Sequence, residues 1–219
     1  MRTFVYTIVI IVFIFGVLLY ATRSHTPAID GSGNSIAAME KINLGGVEQT
    51  ILIRGHDQTN PVMLFLHGGP GLPMMFLSHT FQRDLEKHFT VVQWDQRGAG
   101  KSYDPALFPE KVSGEQILDD AYHLVHYLKG RFGKKRIYLA GHDWGSYFVI
   151  ILVSRYPFSF HAYIGIGQFT DRERTLQYQQ EFLRNQAQQT GESVDLKEFA
   201  GASVEKRNRI LLKRGGVFY

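Results

Sequence analysis

Three short stretches of this sequence hold residue types that could do chemistry. The first is His67-Gly68-Gly69-Pro70-Gly71, directly after the apolar run VMLFL. Glycines at such a place let backbone N–H groups approach a ligand closely, and such donors stabilise a developing oxyanion. The alternative is an ordinary Gly/Pro turn. The second is Trp94-Asp95-Gln96-Arg97-Gly98-Ala99-Gly100-Lys101-Ser102. Its Gly-Lys-Ser ending suggests a phosphate loop, but Asp95 stands where that loop needs its first glycine. A structural loop, with Asp95 and Arg97 bonded to neighbours, is the expected reading. The third is Gly141-His142-Asp143-Trp144-Gly145, between the run RIYLA and an apolar segment. Small residues two places either side of Asp143 fit a tight strand-to-helix turn that thrusts the central side chain forward. The N-terminus of the following helix and the Trp144 N–H would then favour negative charge. The alternative is a plain turn with Asp143 as helix N-cap.

The elements that must carry these motifs alternate. Residues 46–54 and 90–94 read as strands, and 62–66 reads as a buried parallel strand. Residues 136–140 and 161–167 read as two more. Residues 74–88 carry apolar positions at helical spacing. Residues 114–132 form an amphipathic pattern with Gly133 as C-terminal stop, and 145–156 an apolar helix ended by Pro157. Strands alternating with helices predict a mostly parallel sheet with helices on both faces. After residue 171 the chain turns polar, with two helical stretches and no strand. Leu176, Phe182 and Leu183 share one side of the first, and residues 204–213 form a basic amphipathic second.

The order HGGPG, WDQRGAGKS, then the 141–145 turn resembles the α/β-hydrolase family, over roughly residues 44–170. It is most similar to the proline iminopeptidase-like branch. The resemblance implies a hydrolase acting on a small molecule or short peptide, without cofactor or metal. It implies Asp143 at the nucleophile position, and Gly69 and Trp144 as backbone oxyanion donors. It implies Gly68, Pro70 and Gln168 in substrate binding, and Asp171 where some members place the acid. Residues 41–170 would be the N-terminal part of the hydrolase core and 171–219 a partial helical cap.

Two departures matter. The branch carries serine at the elbow, whereas His-Asp-Trp-Gly is similar to haloalkane dehalogenases and epoxide hydrolases. A carboxylate is ionised near neutral pH and can attack a saturated carbon to give an alkyl ester. With a peptide it would have to form an anhydride, a poor intermediate. The family order is nucleophile, acid, histidine, yet His161 alone follows Asp143 in the sequence, and it begins a strand. His67 and His142 read as structural. Three functions therefore stand: an incomplete or inactive iminopeptidase-type hydrolase, an aspartate-nucleophile hydrolase, and a non-catalytic hydrolase-like binding protein. The chain reads as C-terminally truncated, with a completing C-terminal fragment as a candidate partner.

Residues 4–21 contain no charge. A helix of that length spans about 27 Å, close to a bilayer's hydrocarbon thickness. Residues 1–23 are read as a single-pass transmembrane signal anchor with the domain extracytoplasmic, and a cleaved secretory signal is the alternative. Residues 24–40 have linker composition. Over the 219 residues, 44% are hydrophobic, 13% aromatic and 20% charged, a globular composition. The absence of cysteine excludes a disulfide scaffold, a thiolate metal site and a cysteine nucleophile. The net charge of +4 is scattered, which argues against nucleic acid as a partner.

Overall fold

The computed structural model describes residues 6, 10–14, 26–29, 33–69, 71–106, 112–168, 170–191, 196–202, 206–207 and 210. Most of the expected anchor at 1–23 lies outside them, as do Pro70 and most of the basic stretch 204–213. Among the described residues no helix is long and apolar enough to cross a membrane.

Six strands form one sheet in the order β1-β2-β4-β3-β5-β6. They are β1 (Ile36–Leu44), β2 (Val47–Gly55), β3 (Val62–Leu66), β4 (Thr90–Asp95), β5 (Ile137–His142) and β6 (Phe160–Ile166). The β1–β2 and β2–β4 pairs are antiparallel, and β4, β3, β5 and β6 run parallel. Every residue of β3 and β4 is buried, as the unbroken apolar run of β3 requires. β1 begins at Ile36, so the linker expected to reach residue 40 ends earlier. Its half-exposed edge position leaves no clean alternation to read.

Alternate side chains of each central strand feed opposite layers. Leu64, Leu66, Val92 and Trp94 pack with α1 (Gly114–Arg131) and α2 (Trp144–Arg155). Met63, Phe65 and Val91 face the other layer, against Leu85 and Phe89. The helix α1 forms as its pattern predicts: Ile117, Leu118, Ala121, Leu124, Val125 and Leu128 are buried. A capping box starts it. The Gln116 N–H donates to Ser113 Oγ (3.1 Å) and the Ser113 N–H to Gln116 Oε1 (2.8 Å). Gly133, at φ +62°, follows its end.

The stretch 74–88 is not one helix. It folds as a one-turn helix (Ser78–Phe81) between two 3-10 turns, Met75–Leu77 and Leu85–Lys87. A buried polar chain fixes that path. The Gln93 amide donates to Gln82 Oε1 (3.0 Å), the Gln82 amide to Glu86 Oε1 (2.7 Å), and Arg54 Nε to the same oxygen (2.9 Å). Beyond β6, α3 (Arg172–Thr190) and α4 (Leu196–Gly201) make a small core of their own, in which Leu183 and Phe199 are buried with Leu176 and Phe182 beside them.

Candidate active site at the strand ends

The chain leaves β3 toward β4 on one side and later returns to β5 on the other. Such a reversal opens a crevice at the carboxyl ends of the strands. The loops after β3 and β5, carrying the first and third motifs, meet there.

Asp143 has φ +48° and ψ −117°, and it alone among the described non-glycine residues has positive φ. Holding an L-residue there costs about 1–3 kcal/mol. The surrounding contacts make the turn compulsory. A Cβ on Gly141 would lie 2.7 Å from the Gly145 carbonyl and from the Ser146 Cα. A Cβ on Gly145 would lie 2.2 Å from the Leu66 carbonyl oxygen. Only glycine fits either place, so the turn can close against β3. The Asp143 N–H donates to the Ile166 carbonyl (2.8 Å), and its carbonyl accepts from the Ser146 N–H (2.9 Å).

The Asp143 side chain makes no N-cap bond to α2. Its Oδ2 instead accepts from the Gly69 N–H at 3.3 Å. A plain capped turn is thereby replaced by a carboxylate facing the glycine loop. Gly68 permits the approach, since a Cβ there would stand 3.1 Å from Asp143 Oδ2. Gly69, at φ +133°, has no room for a side chain either, its Cβ position lying 2.4 Å from the Gly71 nitrogen. Trp144 opens α2, whose dipole presents its positive end to the carboxylate. Its ring is held by Tyr147 and by an edge contact with Phe148 at 5.3 Å between centroids.

His67 braces the glycine loop. The Gln96 N–H donates to its Nε2 (3.1 Å), so the ring proton sits on Nδ1, 2.8 Å from the Gly68 carbonyl. Burial pushes its pKa below the ordinary histidine value. A neutral imidazole with its Nε2 lone pair already engaged is a support rather than a base.

The second motif closes on itself. Asp95 Oδ2 accepts from the Lys101 N–H (2.8 Å), and Ser102 Oγ donates to the Asp95 carbonyl (2.5 Å). Burial raises the Asp95 pKa, against the lowering effect of the Lys101 amide. Arg97 forms a two-pronged pair with Asp120 of α1 (2.9 and 3.0 Å). The Gln49 amide donates to the same carboxylate (2.7 Å) and receives Trp94 Nε1 on its own oxygen (3.0 Å). These bonds bear out the structural reading of Asp95 and Arg97.

Two further expected site residues each have a hydrogen-bond partner within the fold. Asp171 is the N-cap of α3, where its Oδ1 accepts from the Arg174 N–H (3.0 Å). Gln168, expected to touch substrate, donates from Nε2 to Ser146 Oγ (3.2 Å) beneath the elbow. His161 opens β6 and stacks on Tyr138. It stands five residues before Ile166, the neighbour of Asp143, or about 16 Å along the strand. No group of three or more His, Asp or Glu among the described residues could hold a metal ion. A cavity of about 930 Å³ lies over β1 and β2, lined by Met39, Leu52, Arg54, Met75, Phe76 and Asp95, and no elbow residue lines it.

Comparison with known proteins agrees with this geometry. Residues 61–205, more than half of the chain, match the family described as alpha/beta hydrolase fold. The probable aminopeptidase YbaC of Bacillus subtilis (strain 168) is 40% identical over 134 residues, covering 61% of this chain and 42% of that protein. Epoxide hydrolase 3 of Xenopus tropicalis is 31% identical over 123 residues, covering 49% of this chain and 31% of that protein. This chain thus spans less than half the length of either relative. The solved proline iminopeptidase-related protein of Thermus thermophilus superposes with a TM-score of 0.56 over 82% of this chain and 57% of its own, at 23% identity, a likeness of fold. The chain belongs to the α/β-hydrolase fold family, with affinities to both proline iminopeptidases and epoxide hydrolases.

Proposed function

We propose that this hydrolase uses Asp143 as a carboxylate nucleophile toward a strained or activated alkyl carbon, an epoxide above all. The observation that carries the reading is the Asp143 side chain, which faces the Gly69 N–H instead of capping its own helix. One carboxylate oxygen is held by that donor, and the other is left to attack. The attacking oxygen forms a C–O ester bond as the epoxide C–O bond breaks, and the released alkoxide takes a proton from water. The product is a β-hydroxyalkyl ester on Asp143. Hydrolysis of such an ester needs a base. The only histidine after Asp143 in this sequence is His161, at the far end of β6. With His161 at the far end of β6 from Asp143, the ester is expected to accumulate rather than to be cleared at once.

Peptide mapping by mass spectrometry after exposure to phenyl glycidyl ether tests this. A persistent ester on the peptide carrying Asp143 is expected. An unmodified Asp143 peptide, or rapid release of diol, would overturn it.

A second reading, an iminopeptidase-type aminopeptidase, draws on the 40% identity to a probable aminopeptidase. It requires release of amine from a proline arylamide above a heat-killed control. We also propose that residues 1–23 anchor the domain in a membrane, from the uncharged run at 4–21. The chain should then resist extraction by alkaline carbonate, and recovery in the soluble fraction would refute the anchor.

A further inference from the structure

We propose that Gln168 is a positioning residue that holds the Asp143 turn through Ser146, and is not a substrate ligand. The inference rests on the nucleophile reading above for its kinetic consequence, but not for its structural one.

Two contacts bind the end of β6 to the elbow, and a third inside the elbow links them. The Ile166 carbonyl accepts the Asp143 N–H (2.8 Å). Ser146 Oγ donates to the Asp143 carbonyl (2.5 Å), and Gln168 Nε2 donates to Ser146 Oγ (3.2 Å). Ser146 is fully buried, so its one hydroxyl proton has a defined direction. The Gln168 amide occupies the acceptor side of that hydroxyl and leaves the proton to the Asp143 carbonyl. The chain is shaped to admit the amide. Gly167, at φ +57°, turns the backbone after β6, and a Cβ on Gly165 would stand 2.0 Å from Gln168 Oε1. A strained peptide persists only where its surroundings over-determine it. The relay supplies such a constraint on the carbonyl side of the strained residue, while Ile166 supplies it on the amide side.

The direction of the relay makes it testable. Gln168→Met keeps the length of the side chain but donates nothing. Gln168→Glu, when ionised, offers only acceptors and competes with Asp143 for the Ser146 proton. When protonated, it donates and restores the relay. Amide hydrogen exchange over residues 141–147 should quicken in Gln168→Met while that of α1 stays as in wild type. Unchanged exchange at the elbow would overturn the proposal whatever Asp143 does. Ester formation with phenyl glycidyl ether should slow on the order of tenfold in Gln168→Met, since small misplacements of a reacting group are costly in rate. For Gln168→Glu, the rate relative to wild type at each pH should rise as pH falls through the glutamate's titration, near 4.3 for an ordinary side chain. A ratio that stays flat with pH would overturn the relay. A wild-type protein that forms no ester would defeat the nucleophile reading and leave the exchange result to decide Gln168.

Discussion

The loop after β4 and the turn after β5 leave the same edge of the sheet, one strand apart, and they are built on opposite principles. In the first, polar side chains are turned inward and consumed: Arg97 by Asp120, and Ser102 by the Asp95 carbonyl at the strand end. In the second, the backbone is forced into a costly conformation to hold one carboxylate forward, and its support comes from glycines, main-chain bonds and the Gln168–Ser146 pair beneath it. Both are rich in glycine and in charged or polar residues. What separates a scaffold from a site is where the side chains are spent.

Breaking the first loop should cost the most. Arg97→Ala leaves Asp120, 1% exposed, without its counter-charge. A loss of about 3–5 kcal/mol is expected by urea unfolding. Replacing the pair together, Arg97→Met with Asp120→Leu, should recover much of it. A double variant as unstable as the single one would contradict the desolvation argument. At the elbow, Gly145→Ala drives a methyl into the Leu66 carbonyl and should cost about 3 kcal/mol or more by the same measurement. A well-folded variant that still forms the ester would show that the turn is looser than its contacts require.

Asp95 sharpens the comparison by pH. Burial raises its pKa in the folded state, so folded protein binds this proton more tightly than unfolded protein does. Its ionisation then costs stability, progressively, as pH rises from about 3.9 through the raised value. Asp95→Asn removes that cost, and the variant should gain on wild type across the same window in paired denaturation curves. A difference independent of pH would mean that the Lys101 amide and the rest of the loop fully compensate the buried charge. The smallest effect belongs to a site remote from both loops. Ser113→Ala removes one half of the α1 capping box and should cost about 1 kcal/mol in thermal unfolding, with ester formation at Asp143 untouched.

Much of this arrangement could be read along the chain. The buried strand VMLFL and the amphipathic face of α1 follow from periodicity, and the elbow from paired small residues around Asp143. What escaped reading depends on contacts remote in sequence. β1 is a half-exposed edge strand of small and charged residues, which resembles a linker until β2 pairs with it. The break-up of residues 74–88 comes from Gln82 and Glu86, buried polar groups that hydrophobic periodicity treats as surface. Gln168 came into view only through the resemblance of its stretch, and its bond to Ser146, 22 residues earlier, has no signal along the chain.

The most direct measurement is the intact mass of the protein after reaction with excess phenyl glycidyl ether, for wild type and Asp143→Asn side by side. One ester-bound equivalent on wild type and none on the variant is the predicted result. No adduct on wild type, or equal labelling of both, would contradict the assignment of Asp143 as the nucleophile.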